Sequence, residues 1–277
     1  MLKTLSRLPW SVAYALADAL AFVAHRPVGY RKQVVLSNLR RSFPNADEEE
    51  LRRTARAFYR NLADVTIETL KSLTLTEKAL RRRVALSNPE DLIRAAEVHG
   101  GALIMTPHQC NWEWLLLRYS LELPLVLAVY RPLHSPFADR LMRTIRARFG
   151  ATPVPDRQLP RALATHRRRV TYTALVADQT PSPKRAYWTE FMHQDTPFFR
   201  GTARLARTTG HPVFFARMER VRRGHYVVHV EPLATPPYGE DTDWILDRFV
   251  AATEATIRTQ PEAWLWSHRR WKHHRPR

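Results

Sequence analysis

The stretch Ala102-Leu103-Ile104-Met105-Thr106-Pro107-His108-Gln109-Cys110-Asn111-Trp112-Glu113 holds a strand, a turn and the start of a helix. Its first four residues form an unbroken apolar run behind Gly100-Gly101, the pattern of a strand buried on both faces. Pro107 disfavours helical backbone at Thr106, so the strand stops there, His108 falls in the turn and Glu113 opens the next helix. Similar runs occur at 125–130, 170–176, 212–218 and 226–230, the last two flanking Arg222-Arg223-Gly224-His225, which suits a hairpin turn. Helical patterns fill 112–121, 134–148, 199–209 and 241–259. Strands alternating with helices predict an α/β sheet covered on both faces. In such sheets ligands bind beyond the carboxyl ends of the strands, which directs attention to the residues that follow each run.

After the first run come His108 and Glu113. Five helical steps would leave two side chains about 140° apart, but across a turn into a helix they can meet. A carboxylate on one imidazole nitrogen fixes the tautomer and makes the other a better base, so His108 is a candidate general base for a hydroxyl, with Glu113 as its partner. The alternative is a chance pairing of two ordinary residues. Cys110 is a second possible nucleophile, disfavoured because catalytic Cys and His partners are usually distant in sequence. Arg131 follows the second run and could hold a phosphate or stabilise an oxyanion. Asp178-Gln179 follows the third and could orient a substrate or brace the site. Plain alternatives are a surface arginine and a turn-capping aspartate. Arg140, Arg143 and Arg146 read as a solvated basic helix face.

Residues 1–85 read as helical, with Asn45 or Asp47 as a cap and Leu51, Ala55, Phe58, Leu62 and Ile67 near one face. Residues 8–24 are mostly apolar, flanked by Lys3, Arg7 and Arg26 and interrupted by Asp18. They suit a helix anchored in a membrane or lying on it, or else a buried core helix. The chain carries 44 Lys and Arg against 26 Asp and Glu, a formal net charge of +18, with lysine at only six positions. Such a charge points to polyanionic partners: nucleic acid, an anionic membrane or an acidic protein. The single cysteine excludes an internal disulfide, and no Cys/His zinc pattern is present. The C-terminal Trp264-Leu265-Trp266 and Arg269-Arg270-Trp271-Lys272 suit a lipid interface or nucleic acid, unless the tryptophans pack on the core.

Taken in order, several elements resemble the bacterial lipid A biosynthesis acyltransferases, the late lauroyl and myristoyl transferases and their relatives. They are Asn38-Leu39 with Phe43-Pro44, the HxxxxE motif at His108 and Asn111-Trp112-Glu113, Tyr130-Arg131-Pro132, Asp178-Gln179, Phe198-Phe199 with Gly201, Leu205-Ala206-Arg207 and the Trp/Arg tail. The resemblance covers nearly the whole chain. It implies a glycerol-3-phosphate acyltransferase-like α/β sandwich at 86–277, behind a helical, membrane-anchoring region at 1–85 with a hydrophobic N-terminal helix. It also implies an acyl carrier protein thioester as donor, a glycolipid or phospholipid hydroxyl as acceptor, no metal and no cofactor, at the cytoplasmic face of a bacterial inner membrane. His108 would be the base and Glu113 would complete the dyad, while Arg131, Asp178 and Asn111 would contact substrate. Cys110 stands where many relatives have glycine, and Arg200 interrupts the usual Phe-Phe-Gly order. Both departures leave the acceptor open: a lipid A-type precursor, a lysophospholipid, a phosphatidylinositol mannoside or an aminolipid. A basic nucleic-acid-binding protein is the rival outside enzymes, but no nucleic-acid-binding motif is present. A thioesterase is the rival within them, and no G-x-S-x-G elbow is present to make it a serine hydrolase.

Overall fold

The structure, a computed structural model, describes residues 2–275. In chain order the elements are α1 (Leu2–Ser6), α2 (Trp10–His25), α3 (Lys32–Ser42), α4 (Glu48–Lys71), α5 (Glu77–Arg83), β1 (Val84–Ser87), α6 (Pro89–His99) and β2 (Gly101–Thr106). There follow α7 (Trp112–Ser120), β3 (Val126–Tyr130), α8 (Pro136–Arg146), β4 (Thr152–Pro155), α9 (Leu159–Thr165) and β5 (Thr171–Val176). The chain continues with β6 (Ala186–Phe191), β7 (Gln194–Phe199), α10 (Gly201–Thr209), β8 (Val213–Arg222), β9 (His225–Ala234) and α11 (Trp244–Thr259).

Seven strands form one sheet in the order β1-β9-β8-β2-β5-β3-β4, and β6 and β7 form a separate hairpin. From β8 through β4 neighbouring strands run parallel; the β8–β9 hairpin reverses direction, and β1 runs parallel to β9. Period-two alternation sends β2 side chains to both faces. Ile104 joins Trp114, Leu117 and Tyr226 on one side, while Leu103 and Met105 join Phe58, Phe215, Phe249 and Trp264 on the other. Val35, Leu39 and Phe58 of the N-terminal helices therefore share a core with the sheet. The mixed α/β class with a mostly parallel central sheet is as the sequence reads.

Helix α4 begins where the acidic run predicts, with the Asp47 side chain accepting from the Glu50 N–H at 2.7 Å. Helix α2 departs from a simple hydrophobic anchor. Its Ala13, Ala17 and Ala21 are buried at i, i+4 spacing, the last two packing on Ala63 of α4, where small side chains let the helices approach closely. Asp18, the apparent interruption, pairs with Arg223 in the β8–β9 turn, and Arg223 also grips Asp64 of α4. The Tyr14 hydroxyl donates to the buried Glu68 at 2.9 Å, and the Arg83 guanidinium lies 3.5 Å from the centre of the Trp10 ring. Gly224 sits in this joint at φ +70°, and a Cβ there would stand 1.9 Å from the Tyr14 hydroxyl. The opposite face of α2 presents Val12, Leu16, Leu20 and Val23 outward. Among the described residues no helix is long and apolar enough to cross a membrane.

Candidate active site

Strands β2, β5 and β3 are neighbours and end together at Thr106, Val176 and Tyr130. The backbone pairing runs one step further, since the Ala177 N–H donates to the Thr106 carbonyl at 3.0 Å. This alignment brings the turn after β2 against the turn after β5. His108 Nδ1 lies 2.5 Å from Asp178 Oδ1, and the His108 backbone N–H donates to Asp178 Oδ2 at 2.8 Å. The indole of Trp264 donates to the same Oδ2, also at 2.8 Å. Asp178 is only 2% exposed. Burial alone would raise its pKa; the opposing attraction and hydrogen bonds from His108, with the Trp264 donor, win and hold it at about 2. An ionised carboxylate at Nδ1 fixes the proton there and leaves Nε2 with its lone pair, where the side-chain nitrogen of Gln179 lies 3.1 Å away.

The turn is stitched from the other side by the C-terminal segment. The Leu265 N–H donates to the His108 carbonyl, the Cys110 N–H donates to the Ala263 carbonyl, and the Gln109 amide donates to the Gln260 carbonyl. The Trp112 ring packs edge-on against the imidazole with centroids 5.0 Å apart. His108 is thus held through its backbone, its ring and its neighbours, which fixes the direction of Nε2.

The expected His108–Glu113 contact is replaced. Glu113 faces Arg146 instead, in a two-pronged pair of 2.9 and 2.6 Å. The physical reason is the start of α7: Asn111 caps it by accepting from the Trp114 N–H, which turns Glu113 into the first turn toward α8 while His108 stays on the β5 side. Arg146 therefore does not belong to a solvated face with Arg140 and Arg143, which are both exposed. Its guanidinium lies 5.6 Å from the centre of the Tyr130 ring, at the end of β3. Asn111 is fully buried, its oxygen spent on the cap and its amide donating to Glu68 at 2.8 Å, so its role is to shape the turn rather than to meet a ligand. Arg131 stands at the end of β3 with its side chain 66% exposed, 3.7 Å from Asp156.

Cys110 is completely buried and adopts φ +52°, the left-handed region that favours glycine. Burial pushes its thiol pKa well up, opposite to what a thiolate nucleophile needs. Cys110→Gly is expected to keep activity within about threefold, and the native thiol to resist alkylation until the protein unfolds; loss of activity with trapping of an acyl-cysteine would reverse this.

The C-terminal tryptophans are core residues. Trp264 and Trp266 are buried, 4.7 Å apart in an edge-to-face pair, and so are not free to meet lipid or stack on bases. Asn38 donates to the carbonyls of Trp266 and His268, and Phe43 packs on Trp266, which accounts for the Asn38 and Phe43 element of the sequence. Arg270 is entirely buried; its guanidinium donates to the Pro197 carbonyl and lies 4.5 Å from the Phe198 ring. Burial, only partly offset by Asp178, pushes it down to about 9. Among the described residues no group of three or more His, Cys, Asp or Glu is placed to hold a metal. Sequence reasoning does not single out Trp264 or Arg146: the first belongs to a tail whose composition suits an interface, nucleic acid or a core, and the second to a periodic basic series.

The family described as bacterial lipid A biosynthesis acyltransferase matches residues 1–273. The chain belongs to that family. It is therefore an acyltransferase. It is similar to the lipid A biosynthesis lauroyltransferase of Escherichia coli (strain K12), with 24% identity over 269 residues, covering 96% of this chain and 87% of the relative. The HxxxxE spacing of this acyltransferase thus falls on two side chains with different partners, His108 on Asp178 and Glu113 on Arg146.

Proposed function

We propose that this chain transfers a fatty acyl group from an acyl carrier protein thioester to a hydroxyl of a lipid A-type glycolipid precursor, at the cytoplasmic face of a bacterial inner membrane. The observation that carries the reading is the His108–Asp178 pair beyond the carboxyl ends of β2 and β5 in a member of an acyltransferase family. The acceptor hydroxyl takes the place of the Gln179 amide at His108 Nε2. As its oxygen attacks the thioester carbonyl, the hydroxyl proton passes to Nε2 and Asp178 stabilises the imidazolium. Collapse of the tetrahedral intermediate breaks the carbon–sulfur bond, and the departing thiol takes the proton back from Nε2. Acyl group, proton and electrons are then accounted for without a metal or a covalent enzyme intermediate. Glu113 serves through Arg146, holding that guanidinium beside Tyr130 at the end of β3. Arg131, exposed at the end of β3 and only loosely paired with Asp156, meets an anionic group of donor or acceptor.

The membrane part of the proposal rests on the outward row Val12, Leu16, Leu20 and Val23, next to Arg7 and Arg26. A helix docked through its alanines and showing apolar side chains to the outside suits the plane of an interface. The net charge of +18 favours an acidic carrier and anionic lipid alike.

Mass spectrometry of lipids from a host making the wild-type protein, His108→Ala, or neither, tests the reaction. A glycolipid heavier by one acyl group is expected with the wild type alone. The same product from His108→Ala at comparable yield would remove His108 from the chemistry. An acylated lysophospholipid, phosphatidylinositol mannoside or aminolipid would replace the acceptor and keep the mechanism.

A further inference from the structure

Far from the reactive turn in sequence, the first three long helices enclose a second concentration of charge. A cleft of about 190 Å³, open to solvent, lies where the end of α2, the start of α3 and the first half of α4 meet. His25, Arg26, Lys32, Arg52 and Arg56 line it. Its floor is apolar, with Val35, Ala55 and Tyr59 all buried. Among the described residues, Arg26, Lys32 and Arg56 have no carboxylate within ion-pair distance; Arg52 reaches Glu48 at 3.7 Å, and Glu48 is already held by Arg40.

Cations gathered around one concavity repel each other unless an anion joins them. Their field is felt at His25, whose pKa is lowered by burial and then by Lys32, Arg26 and Arg56. Helix α3 starts at this cleft without a side-chain cap, so its positive end adds to the same field. Guanidinium groups over an apolar floor fit a phosphate that comes attached to a greasy molecule better than a fully hydrated free ion. The surroundings agree: Phe22, Val23 and Val28, exposed at the end of α2, flank Arg26.

We propose that this cleft binds the phosphate of an anionic lipid headgroup, at a site distinct from His108. That the lipid comes from a bilayer under α2 rests on the membrane reading above; the phosphate site itself does not. The cleft shares α4 with the reactive centre without merging with it: Tyr59 lines the cleft, whereas the next residue back, Phe58, lines a notch with Trp112 and Trp264.

The test is calorimetric titration of the full-length protein with dihexanoyl phosphatidic acid below its micelle concentration, and separately with inorganic phosphate. The double variant Lys32→Gln/Arg56→Gln is compared with Arg167→Gln/Arg168→Gln, which removes the same charge from an exposed turn elsewhere. Binding of the short-chain lipid is expected to weaken at least about tenfold in the first variant and to stay within about twofold in the second, with inorganic phosphate binding far more weakly than the lipid. Equal weakening in both variants would show general charge attraction and overturn the site. Inorganic phosphate binding as tightly as the lipid would overturn the lipid assignment, and no lipid binding by the wild type would overturn both. Flotation on phosphatidylcholine vesicles reads the α2 face separately. A protein that binds the short-chain lipid but does not float supports the cleft and removes the membrane reading.

Discussion

Asp178→Asn is expected to cut turnover about a thousandfold or more while leaving substrate KM nearly unchanged. The replacement keeps the shape but reverses the hydrogen bonding at one atom. Asp178 accepts at both oxygens: Oδ1 from the His108 ring and Oδ2 from the His108 N–H and the Trp264 indole. An asparagine has one accepting oxygen. If that oxygen keeps the two Oδ2 donors, its amide faces Nδ1, which must then accept, and the ring proton moves to Nε2. The nitrogen that should receive the hydroxyl proton is then blocked, and the carboxylate that steadies the imidazolium is gone. Activity within tenfold of wild type would mean that Asp178 does not serve His108. The same carboxylate gives a pH signature. Its pKa in the folded protein, about 2, lies below the ordinary 3.8. A depressed carboxylate stabilises the fold above the ordinary value and loses that stabilisation as pH falls through the folded-state value. Wild type should therefore lose part of its stability advantage over Asp178→Asn between about pH 4 and pH 2, as measured by denaturant melts across that range.

Glu113→Ala is expected to destabilise the protein by about 3 kcal/mol and to lower activity, and Arg146→Ala to do nearly the same. The pair is two-pronged, with side chains only 5% and 19% exposed, so either deletion strands a charge in a poorly hydrated place. Glu113→Gln/Arg146→Met, which removes both charges and keeps the volume, should regain most of the stability. Melting curves and kinetics on the four proteins separate two roles for Glu113. If the double variant recovers stability but stays inactive, the ion pair is needed for turnover through the position of Arg146. If it recovers both, Glu113 is purely a scaffold. A Glu113→Ala protein that melts like wild type would mean that the pair contributes nothing.

Much of the sheet was legible because β2, β3, β5 and the β8–β9 hairpin are runs of apolar residues, and buried strands have to be. Strand β4 was not: Thr152-Pro153-Val154-Pro155 carries two prolines that cannot donate, a composition tolerated only because β4 is the last strand of the sheet. Strand β1 is four residues long, too short for a period to show, and β6 and β7 stand apart from the main sheet with mixed polarity. At the site, the general rule about strand ends marked His108, Arg131 and Asp178. What a single sequence does not disclose is strand order, and it is the adjacency of β2 and β5 that joins two residues 70 positions apart. Glu113 looked like the partner because it was near in sequence. Arg146 looked solvated because Arg140 and Arg143 are, yet α8 turns one end of its basic series inward beside buried Ile145. The tail was ambiguous by composition alone, since tryptophan and arginine serve an interface and a core equally well.

The order of synthesis follows from where Asp178 finds its third donor. Residues 264–270 supply the Trp264 indole, the Leu265 N–H on the His108 carbonyl and the Arg270 contacts to Thr180 and Pro197. A ribosome that has translated the whole central sheet has not yet made the wall behind this carboxylate, because residues 264–270 are encoded after it. Until that segment emerges and docks, the nascent chain holds its histidine in an unfinished turn. On the proposed mechanism, acyl donors in the cell meet an active protein only after its synthesis has passed these residues.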